Sequence, residues 1–241
     1  MATVLKRKLH ARDLGPLRTH LKPAIVAPVS KTLADQVYSQ MREALMAGQF
    51  HPGQAITLRS IAEALDISHM PVRAALQRLE AEGAVVAPAN GRTLIIPLMR
   101  VSELGELRDI RAELEGLAAE RAATMISSAQ LLAVERTCHS MQAAAAAGNL
   151  KAYIRENWAF HTAVYRASGM NQLLEIVERL WLRIGPYVGM MMPDRASMTA
   201  SMPNHRNVLD ALRRHDGPAA RAGIAADIHE SAETLRKALP A

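Results

Sequence analysis

The chain has 241 residues, enough for two modest domains, and its 49% hydrophobic and 22% charged residues are typical of a globular protein. Aromatic residues make up only 3%, which favours helices over sheets. A single cysteine, Cys138, excludes an internal disulfide and a cysteine-based zinc site. No apolar run approaches the roughly 18 residues that cross a bilayer, and the N-terminus lacks the apolar core of a secretory signal. We therefore expect a cytoplasmic protein.

The positive charge of the chain is concentrated at its start. The net charge is +6, and residues 1–30 contribute +5 of it. This tail contains three prolines and no clean periodicity, so we expect it to be flexible. It could bind DNA phosphates without sequence preference or serve only as a solubilising leader. The tail has one acid, Asp13, and six basic residues: Lys6, Arg7, Lys8, Arg12, Arg18 and Lys22.

Residues 31–98 are predicted to form three helices followed by two short strands. The first helix has apolar residues at i, i+4 spacing. Thr57 is a suitable N-cap for a short second helix, and Ser68 for a third that ends at Gly83. Apolar strands at 84–86 and 93–96 flank an Asn-Gly pair, a strong hairpin signal. This order is typical of a winged helix-turn-helix.

The N-terminal end of the third helix is the predicted DNA-reading element. In a helix-turn-helix, the second helix of the pair enters the major groove and its first residues meet base edges. Arg73 can donate two hydrogen bonds to guanine, and Arg59 could hold a phosphate. The wing tip could follow the backbone or the minor groove. The remaining candidate contacts are Ser68, His69 and Met70 on the helix and Asn90, Gly91 and Arg92 on the wing.

Residues 33–97 resemble the DNA-binding domain of GntR-family regulators. The resemblance implies DNA contacts by Arg59, His69, Arg73 and the wing around Gly91. The family usually has Arg at the position of His69 and Thr or a similar residue at Met70, so this chain is expected to read a different sequence. The matching segments are Val37-Tyr38, the Gly48 and Pro52-Gly53 turn, and residues 58–62, 68–76 and 79–83.

Residues 102–238 show only helical periodicity, and we predict an all-α six-helix bundle. Polar residues fall on the inward faces of these helices, where a buried polar group needs a partner. They are Arg111, Asn157, His161 and His205, with Asp227 near the inward face and His229 turned away. The predicted helices span about 102–126, 128–147, 149–168, 170–188, 195–215 and 217–238.

Each inward polar residue has a structural and a functional interpretation. Glu115 lies four residues after Arg111 and could simply neutralise it, or Arg111 could anchor a ligand carboxylate. Asn157 and His161 are four apart on one face and could hold one metal ion. Any one of these side chains could also be a satisfied core group. Their convergence within one bundle favours a binding site.

The same residues resemble the FCD ligand-binding domain of the FadR-like branch of the GntR family. The resemblance implies a divalent metal held by one Asp and three His, with a small organic acid beside it. Here Asn157 stands where Asp is common, and Asp227 stands where the third His is common. Asn157, His161, His205 and Asp227 could still hold zinc, nickel or manganese. The matching segments are residues 111–115, 157–161, 167–171, 205–216 and 219–220.

The sequence thus predicts a DNA-binding transcription regulator, a repressor controlled by a small organic acid, rather than an enzyme. Inverted-repeat operators require a two-fold protein, so we expect a homodimer. One alternative is a metalloenzyme that uses His161, His205 and Asp227. Another is an architectural DNA binder with no ligand, whose bundle would be closed by packing.

Overall fold

The computed structural model describes residues 31–88 and 93–239. Its first part contains three helices: α1 (Leu33–Met46), α2 (Leu58–Leu65) and α3 (His69–Ala81). The apolar face of α1 packs on α3 and buries the side chains that the i, i+4 pattern predicted. Residues 1–30 and 89–92 lie outside the described residues, so the structure does not test the predictions for the basic tail and the wing tip. We call residues 33–96 the head.

The turn between α2 and α3 is built by local capping. Thr57 accepts a hydrogen bond from the backbone N–H of Ser60 at 3.0 Å, which satisfies a free donor at the start of α2. The helix ends at Asp66, whose φ of 51° is left-handed. Ser68 occupies the N-cap position of α3, but its side chain makes no capping hydrogen bond, contrary to its predicted role.

The wing differs in part from the predicted hairpin. Strand β2 (Leu94–Ile95) pairs antiparallel with β1 (Ala55–Ile56), in a register that places Ala55 opposite Ile95. Val86 joins β2 only through an isolated bridge, with two hydrogen bonds of 2.9 Å to Ile95. The sequence analysis missed β1 because a strand of two residues is too short to show an alternating pattern.

The second part of the chain is a bundle of six long helices, which confirms the all-α prediction. One boundary differs: the helix expected at 170–188 ends at Ile184, because Pro186 has no N–H to continue it. A 3₁₀ turn (Gly185–Tyr187) and a short helix, α8 (Val188–Met191), follow. The long helices are α4 (Val101–Met125), α5 (Ser128–Ala147), α6 (Leu150–Ala167), α7 (Asn171–Ile184), α9 (Arg195–Arg213) and α10 (Gly217–Ala238).

Helix packing encloses a mixed apolar and polar interior. Helix α10 lies along α4, α5 lies along α6, and α9 contacts both α10 and α5. Large aromatic side chains, including Tyr153, Phe160 and Trp181, are fully buried between the helices. None of the described helices is both long and apolar enough to span a bilayer. The interior face of α6 is buried against the neighbouring helices.

The head packs directly against the bundle through α1. Gly185, at the end of α7, lies so close to α1 that a Cβ would be 2.4 Å from the carbonyl oxygen of Leu45. The Tyr187 hydroxyl donates to the Pro97 carbonyl at 3.0 Å and accepts from the Met99 N–H at 2.6 Å. The end of α7 and the turn after it therefore hold both α1 and the segment that leaves the wing.

Candidate DNA-binding surface and candidate metal centre

The first turn of α3 is exposed on the side that faces away from α1. Val72, Ala75 and Leu76 bury the opposite face. Met70 is 70% exposed, and a large apolar side chain in this position suits contact with a thymine methyl group. The remaining predicted reading residues, Ser68, His69 and Arg73, are exposed beside it.

Arg59 is exposed at the start of α2 and forms an ion pair with Glu63 at 2.6 Å. An exposed pair of this kind contributes about 1 kcal/mol or less, so a phosphate can replace the carboxylate at little cost. The wing residues Asn90, Gly91 and Arg92 lie outside the described residues. Of the predicted DNA contacts, the structure therefore describes those at the start of α3 and Arg59 at the start of α2.

The interior of the bundle contains a connected set of polar side chains, which we call the polar cluster: Arg111, Glu115, Asn157, His161, Tyr165, Trp181, His205 and Asp227. Its charged centre is the pair Arg111–Glu115, with side chains 7% and 0% exposed. Arg111 donates to the two carboxylate oxygens at 2.6 and 3.2 Å. Glu115 also accepts from the Tyr165 hydroxyl at 2.5 Å and from Trp181 Nε1 at 3.1 Å. Four donors thus satisfy one buried carboxylate.

This network determines which nitrogen of His161 carries the proton. Tyr165 gives its only proton to Glu115, so it must accept from His161 Nδ1, which lies 2.9 Å away. Burial, with the nearby Glu115 charge, raises the pKa of Tyr165 well above its usual value, so the hydroxyl keeps that proton. A neutral His161 therefore presents the lone pair of Nε2 to the interior.

His205 approaches the same group from another helix. Its Nδ1 lies 3.0 Å from the backbone carbonyl of Ser201, and its Nε2 lies 3.0 Å from Asn157 Oδ1. A neutral ring has one N–H, so it donates to only one of these two acceptors and presents a lone pair at the other nitrogen. Burial lowers the pKa of His205 although the nearby Asp227 opposes this, so the ring stays neutral at neutral pH. Metal-binding histidines commonly donate the second ring N–H to a carbonyl or similar acceptor.

Asp227 completes the group from α10. Its carboxylate lies 3.5 Å from His161 Nε2 and 3.6 Å from His205 Nδ1, and its side chain is 13% exposed. Burial raises the pKa of Asp227, but His205, His161 and Arg111 outweigh this and lower it to about 2. Ligand atoms of the two histidines and Asp227 lie within 4.8 Å of one another. One carboxylate and two imidazole rings, with an amide oxygen beside them, could hold a divalent ion.

A cavity of about 150 Å³ reaches this group from the side of α8, α9 and α10. Asp227 and Ser201 form part of its wall. A cavity of about this volume accommodates a benzene-sized molecule. Arg111, which is paired with Glu115, does not line the cavity. The other lining residues are Met191, Met192, Ser197, Ala200, Glu230, Ser231 and Thr234.

Comparison with known families distinguishes the regulator prediction from the metalloenzyme alternative. Residues 33–95 match the gntR family of bacterial regulatory proteins, and residues 106–230 match the FCD domain. The chain belongs to the GntR family. The GntR head and FCD domain correspond to the resemblance found in the sequence, and the family consists of DNA-binding transcriptional regulators. This result does not support the metalloenzyme alternative.

Similar proteins include two Escherichia coli K12 regulators. The HTH-type transcriptional regulator McbR is 32% identical over 200 residues, which cover 82% of this chain and 89% of McbR. The HTH-type transcriptional repressor RspR is 21% identical, and the match covers 92% of this chain and 94% of RspR. The solved structure of Escherichia coli McbR/YncC superposes with a TM-score of 0.80 at 27% identity, covering 87% of this chain and 99% of that one. The McbR/YncC structure therefore matches most of the length of this chain.

The structure brings together the interior residues that the sequence analysis singled out. Asn157, His161, His205 and Asp227 meet in the FCD domain, whereas His229 is exposed. Arg111 has the partner that its spacing suggested, Glu115. The sequence analysis missed Tyr165 and Trp181. Tyr165 could have been found, since it follows His161 by four residues on the same helical face.

Proposed function

We propose that this GntR-family protein is a repressor that binds an inverted-repeat operator as a homodimer and responds to a small organic acid bound in the FCD domain. The observation that carries the proposal is the polar cluster, in which ring nitrogens of two buried histidines and one carboxylate lie within 4.8 Å of one another beside a cavity. A bundle closed by packing, as the architectural alternative requires, would have no need of either feature.

In the proposed DNA complex, the start of α3 enters the major groove. Arg73 reads guanine or holds a phosphate, with Ser68, His69 and Met70 beside it, and Arg59 exchanges Glu63 for a phosphate. The proposed wing contacts are Asn90, Gly91 and Arg92. The tail, residues 1–30, adds attraction to the backbone through its charge of +5.

The proposed metal is zinc, nickel or manganese, held by Asn157, His161, His205 and Asp227. When bound, it would supply positive charge for a ligand carboxylate. The cluster needs this charge to attract an anion, because Glu115 neutralises Arg111 and Asp227 adds a negative charge. We therefore expect organic acids to bind only to the metal-loaded protein.

Two features limit the proposed effector. The cavity of about 150 Å³ restricts it to a compact molecule. Its hydroxyl-lined wall, which includes Ser201 and Ser231, suits a polar ligand. Arg111 could bind a second acidic group only if that group replaced Glu115. Replacement of one carboxylate by another conserves the charge balance around the buried guanidinium.

The proposed repression and the proposed homodimer rest on different observations. RspR is a relative named as a repressor, and repression is the simplest outcome when a regulator occupies an operator. A two-fold operator requires two heads in fixed spacing, which a homodimer provides. Effector binding would change that spacing by favouring one conformation of the bundle.

The experiment that tests the DNA-binding proposal is in vitro selection of duplexes from a random pool. We expect the wild type to enrich a short inverted repeat, and Arg73→Ala to lose discrimination at one position of each half-site, a change of about 1–3 kcal/mol. Arg136→Ala, which removes an exposed arginine from α5 of the bundle, is the charge-matched control and should enrich the wild-type repeat. If the wild type enriches no sequence at moderate salt, specific DNA reading is contradicted.

A further inference from the structure

Helix α7 touches the polar cluster and the head within a single helical turn. Trp181 Nε1 donates to Glu115 at 3.1 Å inside the bundle. Three residues earlier, Glu178 accepts from Arg42 Nη2 of the head at 3.0 Å. Residues three apart on a helix lie on neighbouring faces, so a shift of α7 at Trp181 also moves Glu178.

On the head side, Arg42 connects Glu178 to the recognition helix. Its Nη1 donates to Glu82 at 2.8 Å, and Glu82 is the C-cap residue of α3. Tyr38 donates to the same carboxylate and accepts from Arg42 at 3.0 Å. The Arg42, Glu82 and Glu178 side chains are largely shielded from solvent, and shielded charges interact more strongly than exposed ones. One guanidinium thus joins α3 to α7.

We infer that Trp181 and Glu178 are the positioning residues that couple the polar cluster to the DNA-reading helix. This inference rests on the proposed function. Glu115 already accepts four hydrogen bonds, so a ligand that binds Arg111 or reorients His161 and Tyr165 changes the set of donors around it. Trp181 is one of those donors, so its side chain moves when the hydrogen bonds to Glu115 change.

The C-terminal end of α7, at Gly185, restricts how the helix can move when Trp181 is displaced. Gly185 lies against the α1 backbone with no space for a Cβ, and Tyr187 holds the segment after the wing. Because this end is fixed, a displacement at Trp181 tilts α7 about Gly185 and changes the Glu178–Arg42 contact. Arg42 then has two arrangements: shared between Glu178 and Glu82, or bound to Glu82 alone. Two discrete arrangements are what a coupling element requires.

The only two tryptophans of the chain, Trp158 and Trp181, allow a direct test. With Trp158→Phe as the background, Trp181 becomes the only indole reporter. We expect a saturable change in its emission when the selected operator duplex is added. Glu178→Gln should abolish that change without a significant loss of operator affinity, since it keeps side-chain size and leaves Arg42–Glu82 intact. Glu175→Gln, an exposed residue of the same helix, is the matched control and should keep the change.

A second measurement tests the same coupling from the opposite direction. Coupling between two sites is reciprocal and typically about 5- to 150-fold in affinity. With Mn²⁺ as the probe, we expect its affinity to differ with and without operator in the wild type and in Glu175→Gln. In Glu178→Gln, the ratio of the two affinities should fall toward one.

The outcomes distinguish the coupling from the proposed function. If the wild type binds operator but Trp181 emission does not change, or if Glu178→Gln retains the wild-type change, the coupling role is overturned and the DNA-binding proposal stands. If the wild type binds no operator, both proposals fail. If Mn²⁺ does not bind, the metal proposal fails and the fluorescence titration decides the coupling.

Discussion

At the scale of single residues, the candidate metal centre depends on which atoms face one another. His205 faces an acceptor oxygen at each ring nitrogen, the Ser201 carbonyl at Nδ1 and Asn157 Oδ1 at Nε2, both at 3.0 Å. When Nδ1 donates to Ser201, the Nε2 lone pair and Asn157 Oδ1 repel each other unless a cation lies between them or the Asn157 amide is rotated so that its NH2 donates. A neutral amide is a weaker ligand than a carboxylate for a divalent ion. Asn157 therefore limits the metal affinity that we expect.

Asn157→Asp tests this limit. We expect Mn²⁺ affinity to increase on the order of tenfold, equivalent to about 1.4 kcal/mol, because the ion gains an anionic ligand. Without metal, the same variant should unfold at a lower temperature than the wild type, since the cluster that contains Asp227 would gain a second buried carboxylate. Isothermal titration and thermal unfolding measure the two effects. His229→Ala, two residues from Asp227 but exposed, should change neither, and a loss of Mn²⁺ binding in His229→Ala would contradict the assigned ligand set.

At the scale of elements, the contact between α7 and α1 depends on one glycine. Gly185 has helical dihedrals, φ −50° and ψ −46°, so it is not required for backbone freedom. It is required for space, because a Cβ there would lie 2.4 Å from the Leu45 carbonyl oxygen and 2.8 Å from Met46 Cα. Backbone atoms of a packed helix cannot move aside as a flexible side chain can. This position therefore determines how closely the head approaches the bundle.

We expect Gly185→Ala to destabilise the protein by about 1–3 kcal/mol, the usual cost of overpacking. Gly105→Ala is the matched control: Gly105 lies within α4, and a Cβ added there would meet no atom of the described residues within 4 Å. That change should stabilise the protein by about 0.5–1 kcal/mol, since alanine favours helix. Urea unfolding followed by circular dichroism gives both values. A Gly185→Ala variant as stable as the wild type would show that the α1–α7 contact is looser than described.

At the scale of the whole molecule, the arrangement of one head on one bundle has consequences for assembly. Among the described helices, α3 is the one proposed to read DNA, and one helix would cover only one short stretch of major groove. Two such heads, fixed by their bundles, are needed to read an inverted repeat. The proposed effector response also requires that the bundle control the position of the head, which the Arg42–Glu178 contact allows.

We therefore expect sedimentation equilibrium to give a mass twice that of the 26.3 kDa chain. On the selected operator, two chains should bind one inverted repeat, and a duplex with a single half-site should bind much more weakly because the second set of contacts is lost. A 26.3 kDa species that binds one half-site as tightly as the full repeat would contradict the homodimer.

The sequence by itself determined the features that repeat along the chain. Apolar periodicity located the three head helices and the six bundle helices, and the same periodicity showed which polar residues, such as Arg111 and His161, face inward. These features depend on local hydrogen bonding and on which face of a helix is buried. Both are determined by residues that lie three or four positions apart in the sequence.

The tertiary structure alone decided which distant residues meet. Trp181 reaches Glu115 across 66 positions, β1 pairs with β2 across the head, and Arg42 joins two carboxylates from separate parts of the chain. The cavity beside Asp227 and the proton position on His161 follow from those meetings. No local pattern encodes them, because they depend on how whole helices pack, and packing is set by the shapes of all buried side chains together.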